Sequence, residues 1–453
     1  MNFPTRVTRS RSAPAITPIA EPALSTRVRI GYAVGSLVTG AFGTVPGLLL
    51  LPYLTNTLGV AAGAAALLVL LPKAWDVMLN PLVGRISDRT QTRWGARRPY
   101  LLFAGVALTV LFIGIFAAPF GINEGAGIYV AAMFLLAATA FAFFQVPFGA
   151  MPAEMTDSYS ERTRMMTWRV AMLATAILVS GAGAPYILDR AGGGIGGHRW
   201  MALFVGAIML VGTLIVFYGT AKAPTGVITQ AEPSLRAQLR VAMANRPFRL
   251  LVACFVAQAT GVACMLAGVR YFAYYVMDDL YSTTWLFLAV VSPALFTTPI
   301  WRRIGERAGK LRGYVIASIT LTVATFVLTA APFLPPAVIY AVIMVMGFGY
   351  AGQQLFGLAM LPDCIAYDTL RTGKRQAGVF TGVWTAGETL GLALGPGIYA
   401  FVLALFDYIP NSTGAFLAQS SLAETGVLLG FTLVPGFIVG IALALLRGYD
   451  LDE

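Results

Sequence analysis

The sequence predicts an all-α, polytopic membrane protein with twelve transmembrane helices in two pseudo-symmetric sets of six. Three observations predict it. Of the 453 residues, 58% are hydrophobic and 11% charged, with a mean hydropathy of +0.75, whereas a soluble chain carries roughly 25% charged residues to face water. Apolar stretches of spanning length recur twelve times, and Lys and Arg gather on one side of them. This composition excludes a soluble enzyme, a nucleic-acid binder and a disordered scaffold. The net charge of +11 reads as the basic bias of cytoplasmic loops. Three cysteines without paired spacing and a single histidine, His198, argue against zinc or thiol chemistry.

Taken in order, residues 1–26 mix Arg, Ser, Thr, Pro and Ala without an apolar run and read as a disordered cytoplasmic tail, not a signal peptide. Apolar stretches follow at 27–57, 59–86, 99–121, 126–150, 165–188 and 199–220. They resume at 249–277, 281–304, 311–331, 335–361, 376–406 and 423–446. At about 20 residues per span these make an N-terminal bundle (27–220), a solvated linker (221–248), a C-terminal bundle (249–447) and a tail (448–453). On this topology 27 of the 31 Lys and Arg share one side; Arg190 and Arg199 lie opposite, and Lys73 and Arg270 lie within spans. Both termini and the linker are therefore expected in the cytoplasm. Pro81, Arg85, Asp88 and Arg89 after span 2 are repeated as Pro299, Arg303, Glu306 and Arg307 after span 8, each offset by 218 residues. Two related halves suit alternating access by rocking of one half on the other.

Three groups carry chemistry. Asp88, Arg89, Arg93, Arg97 and Arg98 in the short loop after span 2, with Glu306 and Arg307 at the matching place, are expected to form a cytoplasmic gate. An acid at a helix C-terminus needs cationic partners; the alternative is charge that serves orientation alone. Asp76 in span 2 and Glu388 in span 11 are placed near the bilayer midplane, where a carboxylate is costly unless paired, protonated or wetted. For Asp76 the competing reading is a structural ion pair with Lys73, three residues away on the same face. For Glu388 it is close helix packing at Gly387 and Gly391. Arg169, Gln145, Trp384, Thr385 and Lys73 are the candidate solute-binding residues, and Asn80 stands with Asp76 and Glu388 at the coupling site. Arg270 with Tyr271, Tyr274 and Tyr275 reads as packing at the outer mouth.

The run Lys73-Ala-Trp75-Asp76 through Asn80-Pro81 and Gly84, then Ser87-Asp88-Arg89-Thr90 and Arg93-Trp94-Gly95-Ala-Arg97-Arg98-Pro99, resembles the glycoside–pentoside–hexuronide:cation symporters of the major facilitator superfamily. Pro152-Ala-Glu154, Glu161-Arg162-Thr163-Arg164 and the stretch from Gly378 to Pro396 extend the resemblance over nearly the whole chain. It implies solute uptake coupled to sodium, lithium or protons through span 2 carboxylates. The family's Trp-Asp-x-x-Asn-Asp-Pro keeps its first acid here as Asp76 but has Leu79 and Asn80 where the Asn-Asp pair stands. The sugar-holding acids of the melibiose-type members fall at Gln145 and Gly40, and their span 11 lysine falls at Thr389, beside Glu388. Arg169 and Thr385 match sugar-site positions.

One carboxylate beside an amide is a poor sodium cage but an adequate proton carrier. The resulting expectation is a secondary transporter of a sugar, glycoside or related small solute, proton-coupled, with no cofactor, acting as a monomer in a bacterial inner membrane. A proton-driven exporter or carrier of an amphipathic solute such as a lysolipid is the alternative, suggested by the changed site and by Phe141, Phe143 and Phe144 in span 4. A transporter-derived sensor is a further one. No catalytic cluster and no Walker-type phosphate loop point to an enzyme or an ATP-driven pump.

Overall fold

The computed structural model describes residues 24–119, 125–156, 159–224, 235–372, 377–411 and 417–449. The predicted tail up to residue 23, the linker core 225–234 and the end 450–453 lie outside the described residues. Among the described residues there is no strand. In lipid nothing else satisfies the backbone of a single segment, so apolar stretches of this length fold as helices.

The first set comprises α1 (Thr26–Val34) and α2 (Ser36–Pro52), which run together as one span, then α3 (Ala62–Arg89), α4 (Arg98–Ile115), α5 (Ala126–Met155), α6 (Tyr159–Arg190) and α7 (Gly194–Gly219). The second set is preceded by α8 (Leu235–Ala244) and comprises α9 (Arg246–Tyr275), α10 (Ser282–Val291), α11 (Pro293–Phe296), α12 (Thr298–Ala308), α13 (Lys310–Val327), α14 (Pro336–Thr372), α15 (Ala377–Leu405), α16 (Ser421–Phe431) and α17 (Leu433–Leu446). Eleven of the resulting spans are long and apolar enough to cross a membrane unbroken; the twelfth is the α10–α12 segment, bent by 54° before Thr298. Pro293 and Pro299, each in the first turn of its segment, remove backbone donors where that span breaks.

Three elements differ from the sequence reading. The region read as a solvated linker contains α8, whose Ala242 is buried with Phe248 in the core of the second set. Asn245 follows it, accepting from the Phe248 N–H (3.0 Å) to cap α9 and donating to the Cys364 carbonyl (3.0 Å). Both α3 and α14 run past their apolar stretches, to Arg89 and Thr372, so their last turns carry charge beyond the apolar body.

Within each set the helices pack through small residues, as expected where lipid removes any hydrophobic drive between helices. Gly391 and Gly395 of α15 lie against α9: a Cβ on Gly395 would sit 2.5 Å from Ala263 Cβ and from the Cys264 nitrogen. The two sets meet chiefly along α2 on α9, α3 on α15 and α6 on α10, with a smaller contact of α2 on α15. The end of the bundle where α3 finishes and α4 begins is called the basic end below; the opposite one is the far end.

Candidate functional site

Asp76 points into the protein, not toward lipid. It is 4% exposed, and its Oδ1 is buried without a hydrogen-bond partner. Lys73, one turn earlier on α3, is its electrostatic neighbour, and the two make no direct ion pair among the described residues. The Lys73 ammonium is held over two rings of the first set, 5.6 Å from the centroid of Phe42 and 5.9 Å from that of Phe134. Those ring faces supply negative potential where water is scarce. Trp75, between them, donates to Thr139 Oγ1 (3.0 Å) and ties α3 to α5. Asn80 is half-buried.

Arg169 on α6 is half-buried, its guanidinium 4.9 Å from the ring centre of Phe148. Phe148 stacks on Tyr32 at 4.6 Å, and the Tyr32 hydroxyl lies in the field of Arg169 while remaining outside hydrogen-bond geometry. Gln145, a turn before Phe148 on α5, is half-buried. Glu388 is half-buried on α15, close enough to the hydroxyl of Tyr350 to act on it; that hydroxyl accepts from Gln354 Nε2 at 3.2 Å. Asp76 and Glu388 share no hydrogen bond or ion pair among the described residues. Trp384 is 2% exposed and stacks on Phe255 at 4.1 Å, with its Nε1 unpartnered, so it is packed into the second set and not open to a cavity. Thr385 is exposed.

Between the two sets lies a cavity of about 110 Å³, lined by Thr44 and Ile177 of the first set and by Met265, Leu266, Phe287 and Tyr350 among others of the second. Immediately beyond it the sets are joined at the far end by a polar seam that sequence reasoning did not foresee. Arg270 Nη2 donates to Asp189 Oδ1 at 2.7 Å, with side-chain exposures of 7% and 5%. The Thr55 and Tyr271 hydroxyls are 2.6 Å apart, Tyr408 donates to Asn56 Oδ1 (2.8 Å), and the Asn411 N–H donates to the Thr55 carbonyl (2.8 Å). Thr55 and Asn56 lie on a π-helical turn, Tyr53–Thr57, that follows Pro52, a distortion found mostly at functional positions. Arg270 is thus an ion-pair partner as well as part of an aromatic cluster. The signal available in the sequence was the scarcity of charge at this end.

At the basic end the ion pairs among the described residues include several that link helices of one set. Arg97, 6% exposed, donates through Nε (2.7 Å) and Nη2 (2.5 Å) to Glu154 Oε1 and through Nη1 to Ser87 Oγ (2.6 Å), joining α3, α4 and α5. Arg98 donates to the Phe217 carbonyl at 2.9 Å and covers the Phe217 ring. Arg93 lies over Trp94, and Arg89 is exposed. The Asp88 side chain lies outside the described residues. Glu306 pairs with Arg302 along α12 (3.0 Å), and Arg307 is exposed. At the far end, by contrast, the Asp189–Arg270 ion pair joins the two sets.

Over 439 residues the chain is 28% identical to the uncharacterised symporter YnaJ of Bacillus subtilis, covering 94% of this chain and 92% of that one. It is 25% identical to the putative glycoside/cation symporter YagG of Escherichia coli (95% and 93% covered). It is also 25% identical to the mouse sodium-dependent lysophosphatidylcholine symporter 1 (74% and 69%). The fold matches a bacterial homologue of the human lysosomal transporter Spinster, with a TM-score of 0.66 at 13% identity over 92% of this chain and 94% of that one. With residues 31–453 matching the family model of the MFS/sugar transport proteins, the chain belongs to that family of major facilitator transporters, in its glycoside–pentoside–hexuronide symporter branch.

Proposed function

We propose that the chain imports a glycoside or related sugar-like solute across a bacterial inner membrane in symport with protons, by alternating access, acting as a monomer with both termini in the cytoplasm. The observation that carries this reading is Asp76: a carboxylate buried in a membrane helix, one oxygen unpartnered, beside a lysine held between two aromatic rings. Intramembrane acids of this kind are ordinarily functional. Sodium requires several hard oxygens at once, and Asn80 stands where the family's second acid stands, so a proton is the coupling ion that suits the site. Arg169, with Tyr32 and Phe148, supplies a planar donor fork for a polar solute, Gln145 adds amide donor and acceptor on α5, and Glu388 with Tyr350 and Gln354 adds polar groups from the second set. Opening of the far-end seam would expose the cavity to the outside; its closure would leave the basic end as the exit. In proteoliposomes, Asp76→Asn abolishes accumulation driven by a pH gradient and spares downhill exchange; accumulation equal to that of the parent protein refutes the proton role.

A second reading, carriage of an amphipathic solute such as a lysolipid, draws support from the mouse relative.

A further inference from the structure

Among the residues lining the cavity beneath the far-end seam, the hydroxyls of Thr44 and Tyr350 are the only oxygen or nitrogen groups on side chains. A sugar ring carries several hydroxyls, and burying each without a partner is unfavourable, so the cavity is the wrong place for a sugar. Its size is informative as well: an apolar cavity of roughly 150 Å³ holds a benzene ring, and this one, at about 110 Å³, holds a single ring or a short alkyl group but not a long acyl chain. Its position gives it a direction. Val269 lines the cavity and is followed at once by Arg270 and Tyr271 of the seam, which close it toward the far end. Toward the basic end, Tyr350 leads to Gln354, one turn further along α14, and on toward Glu388. With the seam closed on itself by its own ion pair and hydrogen bonds, the apolar cavity leads on toward hydrogen-bonding groups in the direction of the basic end. The walls come from both sets: Phe287 of α10 fills the space that a side chain at Gly181 of α6 would need, the nearest ring atom being 2.2 Å from a Cβ built there.

We propose that this cavity is a subsite for the apolar aglycone of a glycoside, a single aromatic ring or short alkyl group, and that the solute lies with its aglycone toward the far end and its sugar toward the basic end. The assignment rests on the glycoside reading of the function. It makes Met265, Leu266 and Phe287 specificity-determining residues, because they set the room left for the aglycone. It also explains how a carrier lacking both sugar-holding acids of its melibiose-type relatives retains affinity, since apolar burial replaces part of the lost hydrogen bonding.

The test is a binding series on the purified full-length protein with p-nitrophenyl hexosides, pentosides and glucuronides, the matching free sugars, and lysophosphatidylcholine. The aryl glycoside of the preferred sugar is expected to bind at least about tenfold more tightly than the free sugar, the scale of discrimination an apolar pocket provides. Leu266→Trp, which fills the cavity, lowers that ratio toward one. Met265→Ala, which enlarges it, moves the preference toward naphthyl glycosides and keeps the test available should Leu266→Trp fail to fold. Equal affinity for free sugar and aryl glycoside, or a ratio unmoved in both variants, overturns the subsite and leaves the glycoside reading standing. Binding of lysophosphatidylcholine alone, or of no sugar derivative at all, overturns both.

Discussion

Replacing Asp189 by Asn removes one charge from the far-end seam and leaves the Arg270 guanidinium buried. The parent contact is 2.7 Å, between side chains 5% and 7% exposed. With charge centres about 4 Å apart and an effective dielectric constant near 20, the Coulomb attraction is about 4 kcal/mol, which agrees with the ~3–5 kcal/mol lost when one partner of a buried pair is deleted. The amide of Asn keeps one hydrogen bond to Arg270, so about 3 kcal/mol is the reasonable loss. That loss falls on the closed far end alone, because α6 and α9 belong to different sets and both side chains meet water once the seam parts. A perturbation shifts an equilibrium by its differential effect on the two states, and ~3 kcal/mol corresponds to roughly a hundredfold rise in the far-end-open population. A cysteine introduced at Leu266, in the cavity, reports this. Its labelling by a membrane-impermeant maleimide added to the far-end side is expected to rise about a hundredfold in Asp189→Asn, unless it first reaches the rate of an open site. The native Cys254, Cys264 and Cys364 are all buried, and their background is measured in parallel. Exchanging the two charges, Asp189→Arg with Arg270→Asp, restores slow labelling. An unchanged rate in Asp189→Asn refutes the reasoning, since the pair would then not distinguish the two states.

Two other substitutions address the first set. Lys73→Ala removes an ammonium from the rings of Phe42 and Phe134 and the counter-charge from Asp76. It is expected to lower stability by about 1–2 kcal/mol for the two desolvated cation–ring contacts and to abolish pH-driven accumulation, read by thermal unfolding and by proteoliposome uptake; full uptake would show that Asp76 needs no such neighbour. Glu154→Gln strips the buried Arg97 of its charge partner. A stability loss of ~3 kcal/mol, with solute affinity unchanged, is expected if the cluster only holds α3, α4 and α5 together, whereas altered sidedness of cysteine labelling at an intact unfolding midpoint would mark it as a gate.

Span positions were legible because hydropathy is a property of each segment alone. The apolar stretch at 27–57 became the span Thr26–Thr57 and that at 423–446 became Ser421–Leu446. What hydropathy could not convey was geometry within a stretch. The run 281–304 reads as a single span, yet it bends by 54°, and the prolines within it are what hinted at that. The α8 helix escaped because its burial of Ala242 against the second set is a tertiary event. For two of the proposed site residues, the inward placement of Asp76 and its nearness to Lys73 were legible from unusual chemistry in an apolar context and from helical spacing. Trp384 was misplaced for the opposite reason: an indole suits a sugar face and a packed core equally well, and the partner that decides, Phe255, lies on another helix. Asp189 and Arg270 are 81 residues apart on different sets, so no spacing rule connects them.

The composition of the far-end seam bears on how such a carrier moves. Within each set many helix contacts are close and apolar, as at Gly395 against Ala263 and Cys264. Between the sets at the far end, contacts that are hydroxyl to hydroxyl, hydroxyl to amide, backbone to backbone and carboxylate to guanidinium run beside apolar ones such as Phe287 on Gly181. Apolar area exposed to water on opening is unfavourable by roughly 25 cal/mol per Å², whereas a hydrogen bond that exchanges a protein partner for water changes the free energy by only ~0.5–1.5 kcal/mol. A seam built from polar groups can therefore part and reform within the energy of one transport cycle, while the dry interfaces keep each set rigid through it. The Asp189–Arg270 ion pair is buried on both sides of that seam, so its strength weighs heavily in how much solute binding energy is needed to hold the far end closed.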